Sequence, residues 1–214
     1  MNILFDMDGV LVDSEPVIAE AAILGLREYG ISPVAEDFRP FIGTGEDRFI
    51  GGVAEKYGLE YKVAMKKRVY EIYLEIVNEK IGLFDRTVEV LQELNNSGHI
   101  CVLASSADRI KIDANLKAAG IDPVLFKAII GGEDVNNKKP APDIYLKAAN
   151  TVGASSADCL VVEDAVNGIQ AATAAGMLSV GVTTSFSEAV LKTAGAEYII
   201  KSLTELKELV LKKA

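Results

Sequence analysis

The chain has 214 residues, half of them hydrophobic, with 31 Asp and Glu against 22 Lys and Arg for a formal net charge of −9. That length can bury a substantial core as one large domain, or as a core with a modest insertion, without disulfide support. The acidic balance argues against a nucleic-acid partner, which is held by clustered Lys and Arg. No run approaches the roughly 20 apolar residues of a membrane span. A single histidine, His99, disfavours a Ser-His-Asp hydrolase or a His-rich zinc centre, so acid–base chemistry must fall to carboxylates or lysines. The two cysteines, Cys101 and Cys159, fall inside predicted buried strands with no CxxC or Cys/His spacing, and behave as small apolar residues of a reducing cytoplasm. Because Met1 lies immediately before the first predicted strand, no leader segment is expected.

The first apolar run, Ile3-Leu4-Phe5, ends abruptly in Asp6-Met7-Asp8-Gly9, which predicts a short buried strand opening into a loop. Side chains two residues apart share a face of an extended chain, and a bend at Gly9 lets Asp6 and Asp8 converge on one point. Two carboxylates that close repel unless a cation or a shared proton intervenes, and ligands made only of oxygen favour Mg²⁺. A calcium loop of the EF-hand kind needs a Glu at its twelfth place, and counting from Asp6 that place is Val17. Taken alone, the four residues also read as an ordinary turn after a strand.

Residues 15–30, with Pro16 in the first turn and Gly30 at the end, predict a helix. The next sixty residues offer no strand; they read as helices at 46–57 and 60–79, so 15–82 is expected to be a helical insertion. From Thr87 onward the pattern alternates. Helices are predicted at 87–96, 108–119, 142–152, 165–175, 186–194 and from 202, and strands at 100–104, 127–130, 159–162, 178–182 and 197–200. This α/β rhythm implies a mostly parallel sheet covered by helices on both faces.

Three further places repeat the pattern of a polar group at a strand end. Ser105 ends the run Ile100-Cys101-Val102-Leu103-Ala104, where its hydroxyl and the amides of Ser106 and Ala107 suit either a phosphate or a helix N-cap. Lys139 stands before Pro140 in a loop, either a fixed cation or a solvated lysine like its neighbour Lys138. Glu163 and Asp164 close Leu160-Val161-Val162, and read either as metal ligands on the sheet edge that carries Asp6 or as acids opening the next helix. His99 lies at the far end of its strand from Ser105, a structural or surface position.

The segment Asp6-Met7-Asp8-Gly9-Val10-Leu11-Val12-Asp13-Ser14-Glu15 strongly resembles the first motif of the haloacid dehalogenase-like (HAD) superfamily of phosphotransferases and phosphatases. Ser105, Lys139 in Lys138-Lys139-Pro140-Ala141-Pro142-Asp143, and Glu163-Asp164 follow in that family's order. The resemblance is closest to the subgroup of β-phosphoglucomutase and small-molecule phosphatases. It implies a Rossmann-like core of residues 1–14 and 83–214 and a helical cap of residues 15–82, hinged near 13–15 and 82–85. It further implies that Asp6 is a nucleophile forming an aspartyl phosphate, and that Asp8 is the general acid and base, with its main-chain carbonyl on Mg²⁺. Ser105, Ser106 and Lys139 would bind the phosphate; Asp164, with Glu163 directly or through water, would complete the metal site.

The activity so implied is a Mg²⁺-dependent phosphatase acting on a small phosphorylated metabolite, with sugar phosphates in view, as a monomer. A sugar phosphomutase is the alternative, but Ile18 occupies the position of that enzyme's helix His, and Glu46 stands near the place of its cap Arg. Arg48, Glu46 and Arg109 are therefore the candidates for substrate specificity. Dehalogenase chemistry is disfavoured because Asp8 suits an alcohol leaving group, and phosphonate cleavage because that branch lacks the second Asp. Gly43-Thr44-Gly45-Glu46 and the run from Ala104 to Lys111 are also similar to the HAD-like domain of a plant thylakoid protein of regulatory role, which keeps a non-catalytic reading in view.

Overall fold

The computed structural model describes residues 1–211. Strand β1 (Asn2–Phe5) is followed by β2 (Val12–Asp13), then by helices α1 (Glu15–Arg27), α2 (Glu46–Lys56) and α3 (Val63–Lys80), then by β3 (Gly82–Leu83). The alternating half comprises α4 (Thr87–Asn96), β4 (Ile100–Ala104), α5 (Arg109–Ala118), β5 (Ala128–Ile130), α6 (Asp143–Thr151) and β6 (Cys159–Glu163). It ends with α7 (Val166–Ala174), β7 (Leu178–Val182), α8 (Glu188–Ala194), β8 (Tyr198–Ile200) and α9 (Thr204–Leu211). The predicted elements are present, with ends that move by up to three residues. A short 3₁₀ helix at Ala35–Phe41 was not anticipated, because seven residues containing Pro40 carry too little periodicity to read.

Six strands form one parallel sheet in the order β5-β4-β1-β6-β7-β8. Its two faces are covered because successive side chains of β1 point opposite ways. Ile3 and Phe5 join a cluster with Leu91 of α4, Ile112 and Leu116 of α5, and Leu206 of α9. Leu4 joins Val102 and Val161 against Ile144 and Tyr145 of α6 and Ala172 of α7 on the other face. All three β1 side chains are fully buried, a burial worth about 1.5–3 kcal/mol for each. The chain runs outward from β1 through β4 to β5 on one side and through β6 and β7 to β8 on the other. Such a reversal opens a crevice at the carboxyl ends of the central strands.

Helices α1, α2 and α3 have a hydrophobic cluster of their own, built on Ile18, Leu26, Phe38, Ile50, Val69 and Tyr73. The Phe38 and Phe49 rings meet at 4.8 Å, which fastens the 3₁₀ turn to α2. The antiparallel ribbon β2–β3 ties the two chain crossings together, Val12 opposite Leu83 and Asp13 opposite Gly82. The helical unit is docked on α5: Tyr73 donates from its hydroxyl to Asn115 Oδ1 at 2.5 Å, and Lys66 pairs with Asp108 at 2.9 Å.

Candidate active site

Where β1 ends, Asp6 is carried into the crevice, and its N–H donates to Val162 O at 3.0 Å, which locks the first loop residue to β6. The chain then turns tightly: Leu11 N–H donates to Met7 O at 2.9 Å and Gly9 N–H to Val12 O at 2.9 Å. Gly9 has φ +79°, and a Cβ there would run into the Asp164 carboxylate, so the turn and the approach of the two loops both require glycine. Thr184 Oγ1 donates to Gly9 O at 2.5 Å and pins the turn from the β7 side.

Lys139 enters from the loop before α6, with its side chain 1% exposed and its Nζ 2.7 Å from Asp6 Oδ1 and 2.6 Å from Glu163 Oε1. Burial works against this ammonium, but Asp6 and Glu163 outweigh it and hold its pKa well above the ordinary lysine value. Glu163 spends both oxygens locally. Its Oε1 takes Lys139 and the Tyr145 hydroxyl, and its Oε2 accepts the N–H groups of Asp164 and Ala165 at 2.9 and 2.8 Å. Asp164 is buried and accepts from the Ser185 hydroxyl.

Burial, with Glu163 and Asp8 adding to it, pushes the Asp6 carboxyl up to about 7 in spite of Lys139. Burial and the charges of Glu163 and Asp6 raise Asp164 as well. A shortage of positive charge adds to the burial: three buried carboxylates share one ammonium, which leaves two unit charges to neutralise. Ligand oxygens of Asp6, Glu163 and Asp164 lie within 4.8 Å of one another. An all-oxygen donor set with a deficit of two charges fits a hard divalent cation such as Mg²⁺. With Glu163 committed to Lys139 and two amides, Asp6 and Asp164 are the carboxylates free to face it.

Asp8 sits in a separate network. Its Oδ1 accepts from the Ser14 hydroxyl and from Asn115 Nδ2 at 3.2 Å, and its Oδ2 faces Lys111 Nζ at 2.9 Å. Lys111 also reaches Glu46 Oε1 of the helical unit at 3.1 Å. Burial opposes its charge, but Asp8 and Glu46 hold its pKa well above the lysine norm.

Ser105 ends β4 with its N–H on Ile130 O and its hydroxyl accepting from Ala107 N–H at 3.1 Å. The α5 N-cap position belongs to Asp108, not Ser105, so the capping alternative does not describe this serine. Ser106 Oγ is buried without a hydrogen-bond partner among the described residues and lines the same cavity as Asp6, Asp8, Lys139 and Asp164.

Two of the three expected specificity residues stand elsewhere. Arg48 is exposed, paired with Glu55 at 2.8 Å and lying over the Phe41 ring at 5.1 Å. Arg109 is exposed and paired with Asp113 at 2.7 Å. Neither lines the cavity, because each finds an acid on its own helix, whereas Glu46 is buried in the wall. Sequence reasoning missed Lys111 and Asn115, both in α5 and both on Asp8. The pattern held one signal: Lys111 and Asn115 are four residues apart, on one helix face, in the helix that opens after Ser105.

A family model described as haloacid dehalogenase-like hydrolase matches residues 3–182. Over 202 residues the chain is 46% identical to Protein Suppressor of Quenching 1, chloroplastic, of Arabidopsis thaliana; the match covers 92% of this chain and 19% of that protein, so the chain spans about a fifth of that relative's length. It is 31% identical over 216 residues to a phosphoglycolate phosphatase of Neisseria gonorrhoeae, covering 96% of this chain and 91% of that protein. In fold it is similar to the crystal structure of a β-phosphoglucomutase from Clostridium difficile, with a TM-score of 0.86 at 23% identity over 99% of this chain and 95% of that one. The motifs read from the sequence, the parallel sheet and these matches agree: this chain belongs to the haloacid dehalogenase-like hydrolase family.

Proposed function

We propose that the protein is a Mg²⁺-dependent phosphomonoesterase that hydrolyses a small phosphorylated metabolite through an aspartyl phosphate on Asp6. The observation that carries this reading is the placement of Asp6 at the end of the central strand, 2.7 Å from a buried lysine and beside a second buried carboxylate, Asp164. A carboxylate nucleophile needs its anionic phosphate target neutralised and held in line. Lys139 supplies one fixed cation, and the Ser105 and Ser106 hydroxyls at the β4 end offer further donors. Asp6, Asp164 and the Asp8 main-chain carbonyl would hold Mg²⁺, which supplies neutralisation of the phosphate oxygens. Glu163 acts through Lys139, fixing where its ammonium sits.

Asp8 gives a proton to the leaving alcohol and then takes one from the attacking water. Its orientation toward the reacting oxygen is set by Ser14, Asn115 and Lys111 together. Ile18 lines the cavity and offers no titratable group to activate a sugar hydroxyl, which supports transfer to water over transfer to a second sugar oxygen.

The cavity lies between the two units, lined by Asp6, Ser105 and Lys139 of the core and by Ile18, Phe41 and Glu46 of the helical unit. The helical unit, residues 15–82, therefore acts as a cap that opens on the β2–β3 ribbon to admit substrate and closes to exclude bulk water. Gly43 marks the close approach: a Cβ there would meet Ala165 of the core. A monomer in a reducing cytoplasm completes the reading, supported by the two buried free cysteines. The chloroplast relative is the observation that speaks for another compartment. Among the described residues no helix is long and apolar enough to cross a membrane.

The test is hydrolysis of an aryl phosphate with Mg²⁺ and with chelator. Activity that needs Mg²⁺ and falls by several orders of magnitude in Asp6→Asn is expected. Activity that survives chelator or that substitution refutes the mechanism.

A further inference from the structure

Beyond Asp8, the cavity is walled by the helical unit, through Ile18, Phe41 and Phe49 with the carboxylates of Glu15 and Glu46. The positive groups lining the cavity are Lys139 and Lys111, and both are already paired. Lys139 holds Asp6 and Glu163, and Lys111 holds Asp8 and Glu46. The arginines that flank this end in sequence, Arg48 and Arg109, are spent on Glu55 and Asp113 at the surface. Glu46 itself is 7% exposed. Its Oε1 takes the Lys111 ammonium, while its Oε2 is buried with no hydrogen-bond partner among the described residues. Tyr70 stands beside the Glu46 carboxylate, and its hydroxyl accepts from Asp108 N–H at 3.4 Å.

A buried acceptor without a donor costs stability unless a ligand completes it. Burial pushes the Glu15 carboxyl up to about 7 and raises Glu46 as well, so above that pH a wall with more carboxylates than ammonium groups repels a second anion, and such repulsion discriminates as strongly as attraction does. Given the phosphomonoesterase reading, on which this rests, we infer that the wall formed by Glu46, Glu15 and Lys111 selects esters of alcohols that carry hydroxyl donors and no second anionic group, with Glu46 Oε2 accepting from a substrate hydroxyl. Carboxylated and doubly phosphorylated compounds are poor substrates. The enzyme thus departs from the phosphoglycolate phosphatases to which it is similar, because among the described residues both cations that line its cavity, Lys139 and Lys111, are already paired.

The experiment compares kcat/KM at saturating Mg²⁺ for two matched pairs in which the terminal CH2OH of the neutral member, a hydroxyl donor, is replaced by a carboxylate: glycerol 3-phosphate against 3-phosphoglycerate, and 2-hydroxyethyl phosphate against 2-phosphoglycolate. The neutral alcohol is favoured by about 100-fold in each pair, the scale on which like charges in contact discriminate. Glu46→Gln keeps the acceptor, removes the charge, and narrows the ratio to about 10-fold, mainly by raising the anionic member. A ratio near one or below it in the wild-type enzyme overturns the inference while aryl phosphate turnover leaves the hydrolase reading intact. An unchanged ratio in folded Glu46→Gln overturns the role of that residue. Absence of turnover on every phosphate ester overturns the hydrolase reading and this inference with it. The wild-type ratio decides the substrate class even where the variant fails to fold, which circular dichroism reveals.

Discussion

Replacing Lys139 by Met removes one charge from the most densely charged buried point of the molecule while keeping a side chain of similar length. The wild-type ammonium is 1% exposed, lies 2.7 Å from Asp6 and 2.6 Å from Glu163, and rests over the Tyr145 ring at 4.9 Å. In Lys139→Met, three buried carboxylates face one another with no cation. Breaking a buried ion pair by deleting one partner costs about 3–5 kcal/mol, because the survivors keep their desolvation penalty. Urea unfolding in chelator should show that loss. Two charges near 4 Å apart interact by about 4 kcal/mol at an effective dielectric of 20, so the variant should also bind Mg²⁺ more tightly than wild type, by at least about tenfold. Stability should then recover more on adding Mg²⁺ in the variant than in wild type, since a ligand stabilises according to its affinity for the folded state. Activity should nevertheless fall by about 10²–10³, the scale for losing one group aimed at transition-state charge. A stability loss below about 1 kcal/mol, or equal gains from Mg²⁺ in both proteins, would refute the charge argument.

Three other outcomes follow from the geometry. Lys56, the Val34 N–H and Tyr57 hold the Asp37 carboxyl down to about 2. A depressed carboxylate contributes stability above its unfolded value that is lost as pH falls toward about 2, so Asp37→Asn should lower Tm at pH 6 and leave it unchanged near pH 2. Gly9→Ala places a Cβ at φ +79° against Asp164; a cost of about 1–3 kcal/mol with weakened Mg²⁺ activation is expected in unfolding and metal titrations. Arg48→Ala breaks an exposed pair with Glu55 and should change kcat/KM by less than about twofold on any substrate.

The sheet was legible because each central strand is a short apolar run cut off by a polar group: Phe5 before Asp6, Ala104 before Ser105, Val162 before Glu163. A polar group at the carboxyl end of a buried parallel strand has one place to go, the crevice. Lys139 sits in a loop, where periodicity is silent, and only the family motif marked it. Lys111 could not be read from composition, since a lysine between Ile110 and Ile112 looks like any surface helix residue. It is buried because α3 docks on α5 and Glu46 closes over it, contacts made by Tyr73 and Glu46, 38 and 65 positions away. Arg48 failed in the opposite sense: the resemblance suggested it because it stands two residues beyond the place of the family's cap-loop Arg, but the turn of α2 brings Glu55 beside it and gives it an exposed partner. Glu163 and Asp164 look equivalent as adjacent acids, and only the hydrogen bonds that use both Glu163 oxygens separate the anchor of Lys139 from the carboxylate left for a metal.

The claim that Asp6 is the nucleophile is tested most directly by rapid acid quench of the enzyme turning over an aryl phosphate with Mg²⁺, followed by peptide mass spectrometry. The account predicts a burst of aryl alcohol matched by one phosphoryl group on the peptide containing Asp6, absent in Asp6→Asn and absent with chelator. Turnover with no phosphoryl group on that peptide, or with the group on another residue, would contradict it.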